Sequence, residues 1–588
     1  MPTGITAAYE VSVLPGPHEL EVAITFQGVP PGALHLELPT WVPGAYGFMR
    51  YARDLFEVRA EDSKGAALSL EREGWSGFRV EARGGTVRVR YRAAASDVSF
   101  GELAGIVEHH QAVLLGTRYL YAVGQVGPCT VRYGFPEGWA VHHAAGAKPV
   151  DARTFEYPSY AALLDAPVVA GQYDVVQRRS HGTTFHHVFL DRAVGYATER
   201  DGFLDGVMRV VDGAHGMFGS FPFEHYTFIY TFNPLSHWGL EHANATMIEL
   251  GEQSLIDPGQ RRDAIRVCAH ELFHAWNVCR LKPAPLGKLD HARGSFPDAL
   301  WVAEGFTRYY EFVLGSRANE ITPEIFFSNI LNYYRYLAAM PAYARVSAKD
   351  SSLATFLNHG KYPGSINNTV DYYDVGMLIA FDLDVLLRSQ GRSLDADFRA
   401  FYEAYVGKGD GFTSADLRAF FADRMREAGA LLESEVEGPG ALSTVAKIES
   451  LGFEVERGQV RKLGIVLEKD KGPVIDNVLD TGPSANSGLA AGDEIIRVDG
   501  LAFHAPSLRW LIAHAEAITL EVKRGHRYFT FEVRPQAQED LTGLVWRGTE
   551  AQAAAIRTWL GRDDFRPTPG QRFSIATYDN FHGVQTVI

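Results

Sequence analysis

The sequence predicts a multidomain α+β protein, and three observations carry that prediction. The first 175 or so residues alternate apolar and polar positions in short runs between Gly/Pro turns. A middle stretch switches to helical spacing, and a compact β-patterned module returns near residue 455. At 588 residues the chain is too long for a single core, and a norm of about 150 residues per domain divides it into roughly three or four.

Taken in order, His18 to Phe26, Thr86 to Tyr91 and Thr130 to Phe135 are strand-like, and no long amphipathic helix interrupts them. They predict a β-sandwich-like domain over residues 1–175. From about Asp191 the pattern changes: Phe203, Val207, Val210 and Val211 form a helical stripe, followed by a β-rich run from Tyr226 to Phe232. A histidine-bearing helix comes next, then a second helix opening at Pro297. Helical spacing continues through Phe326–Leu337, Val375–Arg388 and Leu417–Ala428, so residues 176–445 read as a mixed and then helical domain. Residues 430–460 are richer in Gly, Ser and Glu and read in part as a linker. In the module at 455–535, strand-like Gly464–Leu467 and Val474–Leu479 lead into Gly482-Pro483-Ser484-Ala485. Gly488-Leu489, Gly492-Asp493-Glu494-Ile495-Ile496 and Val498-Asp499-Gly500 follow. That order resembles a PDZ domain, in which a short helix precedes the G-D-x-I strand. Ser507 to Ala515 would be its groove helix and Leu463-Gly464-Ile465 its carboxylate-binding turn, ready for a C-terminal peptide. Residues 536–588 carry one helical stripe, Ala555–Leu560, and a β-like end that returns to pack on the body.

Composition narrows the function. With 46% hydrophobic and 22% charged residues this is an ordinary globular chain, and 58 glycines with 26 tyrosines fit abundant β structure and turns. A net charge of -15 excludes a nucleic-acid partner, since no basic stripe replaces phosphate counterions. Cys129, Cys268 and Cys279 form no disulfide framework. On a continuous helix Cys268 and Cys279 would lie roughly 16 Å apart, too far to bridge. Reduced thiols, a Met1-Pro2-Thr3-Gly4-Ile5 start without signal-peptide character, and no apolar run long enough for a bilayer predict a cytoplasmic protein without a membrane partner.

The most informative stretch is His270-Glu271-Leu272-Phe273-His274. Histidines at i and i+4 share a helical face and can reach one ion, while the glutamate between them can take a proton from water. Asp257-Pro258 reads as N-cap and N1. Ile265, Ala269, Leu272 and Trp276 form an apolar stripe from which both histidines are turned away. A catalytic zinc site holds three protein ligands and one open position, and Glu304 in Trp301-Val302-Ala303-Glu304-Gly305-Phe306-Thr307 is the best third ligand. Two plainer readings stand beside this one: a polar surface pair of histidines, and a structural Glu304 held by Arg308 or Arg280.

His270 to Pro283 (HELFHAWNVCRLKP), together with Trp301 to Thr307, resembles the glycyl aminopeptidase family of PDZ-containing zinc peptidases. These are gluzincins with a thermolysin-like catalytic domain. Trp41-Val42-Pro43-Gly44-Ala45-Tyr46, ahead of Arg50, resembles the family's N-terminal β-domain signature, so the likeness extends over nearly the whole chain. The resemblance implies one zinc per chain on His270, His274 and Glu304, with Glu271 as general base. Gly239-Leu240-Glu241-His242 resembles the edge strand that runs along the substrate in related aminopeptidases, with Glu241 binding the free α-amino group. Tyr373-Asp374-Val375-Gly376 resembles an element whose tyrosine hydroxyl faces the oxyanion, with Tyr372 one position away. Plain structural roles for Glu241 (a strand carboxylate paired with arginine) and Tyr373 (a helix-capping tyrosine) are the alternatives. Val375 and Cys279 depart from the basic residues of the pattern, and neither is a ligand or base. Asn277 and Arg280 are candidates to orient ligands or Glu271, and Trp238, Phe273 and Trp276 to narrow the pocket toward Gly or Ala.

The function expected is a zinc aminopeptidase acting on peptides with a free N-terminus. Its rivals are a zinc endopeptidase and a non-catalytic PDZ peptide-binding scaffold.

Overall fold

The structure of the chain, a computed structural model, describes residues 4–42, 44–97, 105–144, 148–190, 197–232, 238–287, 290–358, 362–467, 472–575 and 587–588. They form two compact units, Met1–Ser295 and Phe296–Ile588.

The first unit begins with the expected β domain. The long strand Glu19–Glu37 pairs antiparallel with Thr6–Leu14 on one side and Gly77–Ala94 on the other, at the middle of a nine-stranded sheet. Alternate residues face inward, so Val11, Val22, Ile24, Val87 and Val89 are buried while their neighbours meet solvent. A second sheet orders Ala140–His143, Val168–Gly171, Gln111–Leu114 and Ile106–Val107, and its Val107, Ala112, Leu114, Val168 and Ala170 join the same core. Two sheets over one core make the sandwich-like layer the alternation predicted.

A helix, Ala197–Phe218, follows, with Phe203, Val207, Val210 and Val211 fully buried. Asp191, where the change of pattern was placed, lies outside the described residues. A five-stranded sheet then runs Asp174–Ser180, Thr183–Phe189, His225–Phe232, Ala245–Leu250, Trp238–His242. Its inner pairs are parallel, and Trp238–His242 pairs antiparallel on Ala245–Leu250 at one edge. That edge strand and the helix Pro258–Phe273 carry most of the chemistry described below.

The second unit is helical, then β-rich. The helix expected at Pro297 starts at Leu300, after Ala299 as N-cap, and breaks at Glu304 into Leu300–Ala303 and Gly305–Arg317. Gly305 packs against Gly376 of the helix Tyr372–Ser389, where any side chain on either glycine would overlap the facing backbone. The helix expected over Leu417–Ala428 is two, Ser414–Arg424 and Arg426–Glu437, because Met425 adopts an extended conformation. The linker reading of residues 430–460 is corrected in the same way. Arg426–Glu437, Thr444–Ser450 and Phe453–Lys462 are regular elements, and 438–443 is the short connection left between the two helices. Gly, Ser and Glu there serve caps and exposed faces.

The PDZ-like module places Ile465–Leu467 beside Ile475–Val478. A four-stranded sheet adds Leu501–Ala502, Glu494–Val498, Ile518–Arg524 and Arg527–Val533. The helix Ala505–His514 closes its core through Leu508 and Ile512, whereas the residues 480–493 expected to hold a short helix form turns. The segment after 535 does return to the body. Gln536–Trp546 pairs with Phe453–Lys462 along its length. The helix Glu550–Leu560 then buries Trp559 against Phe326, Phe327 and Phe381. A fully buried tryptophan of this kind costs about 3–5 kcal/mol to truncate to alanine, so this return is structural.

Candidate metal and peptide site

The helix Pro258–Phe273 is fixed at both ends. The Asp257 carboxylate accepts from the Gln260 N–H at 2.8 Å, with Pro258 at the first helical position where its missing N–H costs nothing. From Ala264 onward every residue through Phe273 is buried, so His270 and His274 are not a surface pair. The helix stops one residue before His274 instead of continuing to Cys279. The chain then coils back, with Cys279 N–H donating to the His274 carbonyl at 3.0 Å and Leu281 N–H to the Trp276 carbonyl at 2.9 Å. Val278 holds φ at +115°, a conformation a β-branched residue adopts only where its surroundings enforce it.

That coil has a chemical result. The Asn277 main-chain carbonyl lies 2.8 Å from His274 Nδ1. A carbonyl only accepts, so Nδ1 carries the proton and Nε2 keeps its lone pair for a metal. The two imidazoles stand nearly perpendicular, at 82°, with ring centroids 4.7 Å apart. Asn277, expected as an orienting side chain, acts on His274 through its backbone. Arg280 orients the coil: it donates to the carbonyls of Ala243, Ala275 and Pro222 and to Asn244 Oδ1, at 2.7 to 3.0 Å.

Glu271 sits between the histidines and faces the edge strand. A Cβ on Gly239 would come 2.5 Å from the Glu271 carboxyl carbon, so only glycine lets the strand pass this carboxylate. The Tyr226 hydroxyl donates to the Glu271 carbonyl at 3.3 Å, and burial pushes that phenol well above its usual range. Two residues along the strand, Glu241 is 5% exposed. Carboxylate oxygens of Glu241 and Glu271 and a ring nitrogen of His274 all lie within 4.8 Å of one another. Leu240, between Gly239 and Glu241, belongs to an apolar cluster with Val42, Ala45 and Leu164.

Glu241 opens on a cavity of about 210 Å³ lined mainly by Gly44, Tyr46, Ala162, Val278, Cys279 and Lys282. The Gly44 turn of the β domain forms one wall. Gly44 has φ +88°, and a Cβ there would lie 2.6 Å from Glu241 Oε2. Asp165 holds the far end of the edge strand, accepting from Ala243 N–H at 3.0 Å and meeting His242 Nδ1 at 3.2 Å. Phe273 and Trp276 are not pocket walls: both pack on Phe218, Trp276 with its ring stacked at 4.6 Å. Trp238 is half-buried against the apolar clusters of the β layers. Cys279, by contrast, reaches the cavity, and Cys129, Cys268 and Cys279 are all free thiols.

In the second unit, Glu304 is buried at the helix break. The Arg308 side chain, offered above as its holder, is ion-paired with Asp374 and lies 4.8 Å over the Tyr373 ring. Asp371 caps the next helix by accepting from Tyr373 N–H at 2.8 Å. Tyr372 shares a 3.1 Å hydrogen bond with the Thr355 hydroxyl. Val375 is buried in that helix. Sequence reasoning gave no role to Gly44, Asp165 or Tyr226. Gly44 lay inside a motif already singled out, whereas nothing local marks the other two.

Known proteins share this organisation. Residues 8–172 match the Peptidase M61 N-terminal domain, residues 263–379 the M61 glycyl aminopeptidase domain, and residues 442–511 a PDZ domain. Among solved structures, an aminopeptidase N family protein from Idiomarina loihiensis is similar in fold. It has a TM-score of 0.84 at 20% identity, over 94% of this chain and 100% of that chain. Leukotriene A4 hydrolase from Saccharomyces cerevisiae is a weaker likeness, with a TM-score of 0.47 at 14% identity, over 76% of this chain and 70% of that one. No curated protein matches the chain.

Proposed function

We propose that this chain, whose residues match an M61 N-terminal domain, an M61 glycyl aminopeptidase domain and a PDZ domain in that order, is a zinc aminopeptidase removing glycine or alanine from peptide N-termini. The observation that carries this reading is the buried meeting of Glu241, Glu271 and His274 beside a small cavity. Glu241 beside the cavity suits a substrate α-ammonium, and the His274 imidazole next to Glu271 suits a metal.

In this reading one zinc per chain is held by His270, His274 and Glu304. The donor set fits, since the His274 tautomer leaves Nε2 available and two imidazoles with one carboxylate suit zinc. Zinc, when bound, supplies Lewis acidity that brings the pKa of water to roughly 7. Glu271 takes the proton from the attacking water and delivers it to the leaving amine. Glu241 holds the α-ammonium, which sets the first peptide bond over the reacting centre and excludes internal bonds. Gly239 and Leu240 present the edge-strand backbone to the substrate chain. Tyr373 donates to the oxygen on which charge develops, with Tyr372, hydrogen-bonded to the Thr355 hydroxyl, one position away as the alternative. A cavity near 210 Å³ suits a small first side chain. The working parts are residues 1–175, 176–445 and 455–535, with 536–588 as a structural return. A cytoplasmic location goes with the free thiols. No helix among the described residues is long and apolar enough to cross a membrane.

The test is release of the N-terminal residue from free and N-acetylated Gly- and Ala-peptides, before chelation, after it, and after zinc is restored. Cleavage of the free-amine peptides alone, lost on chelation and recovered with zinc, is expected. Cleavage of blocked peptides would make the enzyme an endopeptidase and remove Glu241 from amine capture. No cleavage at full zinc content would favour the scaffold.

A further inference from the structure

The PDZ-like groove already holds a peptide, and the peptide is this chain's own. Main-chain N–H groups of Leu463, Gly464 and Ile465 converge on the Ile588 main-chain oxygen at 3.0, 2.8 and 3.2 Å. Ile588 N–H returns a bond to the Ile465 carbonyl at 3.0 Å, and Val587 bridges antiparallel to Val466. The strand Ile465–Leu467 pairs with Ile475–Val478 on one edge, so Val587 and Ile588 take the other edge as an added strand. The Ile588 side chain packs against the module's core cluster, which contains Leu463, Ile465, Leu508 and Ile512. The turn that makes this possible is built for it. Gly464 has φ +74°, and a Cβ there would lie 2.9 Å from both the Gly482 Cα and the Pro483 Cδ.

Three amide donors aimed at one oxygen form a nest that prefers a carboxylate to a neutral carbonyl. The apolar seat beside it takes a branched aliphatic side chain. We propose that this groove is a peptide-binding site closed in cis by Val587 and Ile588, which a partner peptide must displace. That partner is an extended peptide ending in a branched aliphatic residue with a free carboxylate. The inference is independent of the proposed catalysis, since every residue it uses lies in the PDZ-like module or the chain's last two positions. Tethering places the internal ligand at an effective concentration on the order of millimolar, so an internal ligand with an intrinsic Kd of about 0.1 mM or tighter holds an outside peptide back at least about tenfold.

The experiment uses the full chain, a chain lacking Val587 and Ile588, and Ile588→Asp. Each is titrated with a synthetic peptide of residues 583–588 that carries fluorescein on its N-terminus and a free or amidated C-terminus. Removal or I588D is expected to tighten binding of the free-carboxylate peptide at least about tenfold, and amidation to weaken it by a similar factor. Amide exchange is read alongside: Ile465 and Gly464 are expected to be protected in the full chain and to exchange faster in the shortened one, with the strands Glu494–Val498 and Ile518–Arg524 unchanged as evidence of folding. Equal affinity for the full and shortened chains, or no binding to a shortened chain that keeps those strands protected, would overturn the proposal.

Discussion

Each of the two units buries a close pair of carboxylates, and the two pairs have different surroundings. In the second unit Asp382 and Glu435 meet around Ser443. Its N–H lies 3.0 Å from an oxygen of each, its hydroxyl reaches both, and the Thr444 hydroxyl adds a third donor to Asp382 at 2.9 Å. Burial, with Glu435 alongside, pushes Asp382 well above the carboxylate range, and burial pushes Glu435 up to about 7. That pair is settled by local hydroxyls and a retained proton, and it ties the helix Arg426–Glu437 to Tyr372–Ser389. In the first unit Glu241 and Glu271 meet His274 instead of a serine, and Glu241 opens on a cavity. The second-unit pair is closed in by the fold, whereas the first-unit pair borders a space.

Breaking the first-unit pair should therefore abolish chemistry while leaving the fold intact. The largest effect is expected for Glu271→Gln, which keeps shape and removes the proposed base: kcat should fall about 10³-fold, the middle of the range for general acid–base catalysis. Zinc content by elemental analysis should be unchanged. A variant that stays active would take Glu271 out of the mechanism. Glu241→Gln comes next. Losing one partner of a desolvated charge pair costs about 2–5 kcal/mol, so kcat/KM for free-amine substrates should drop at least about 30-fold. The preference over acetylated peptides should shrink with it. An unchanged preference would return Glu241 to a plain strand carboxylate. Gly239→Ala sharpens the comparison further, because the added methyl overlaps the Glu271 carboxyl. Displacing a catalytic group by about 1 Å can cost about 10²-fold, so kcat should fall by up to that much. Circular dichroism and zinc content should match the parent.

What was legible in the sequence was local. The cap at Asp257-Pro258, the i, i+4 histidines and the order of PDZ strands are all written in neighbouring residues, and the structure has them where they were expected. What was not legible depends on segments far apart in the chain. The run Ala275-Trp276-Asn277-Val278-Cys279-Arg280 contains no Gly or Pro and reads as continued helix. Yet four oxygens, three of them from residues 222–244, capture Arg280, and Val278 is forced to positive φ. Without that break the Asn277 carbonyl would not sit on His274. The cavity wall came from Gly44, nearly 200 residues before Glu241, and no periodicity announces such a contact. Aromatic residues close to the motif in sequence looked like pocket walls for the same reason, and Phe273 and Trp276 proved to be core.

The second-unit pair gives the smallest effect, and one of a different kind. Glu435 titrates near its ordinary value of 4.5 in the unfolded chain and near 7 in the fold. Between those values the folded state binds a proton that the unfolded state has released, so stability is full below about 4.5 and is lost as pH rises through about 7. The Ser443 donors work against the shift, as do the hydrogen bond with Asp382 and the facing Lys447, so burial outweighs all three. A raised pKa of this size corresponds to a loss on the order of 2–3 kcal/mol. Urea unfolding of the parent and Glu435→Gln at pH 5, 6, 7 and 8 isolates the effect from other titrating groups. The neutral amide has no proton to release, so the difference in unfolding free energy between the two chains should change by that amount across the series, with the parent losing ground as pH rises. Parallel pH profiles would mean that the pair keeps a charge in the fold, and that Ser443 and Thr444 alone compensate it.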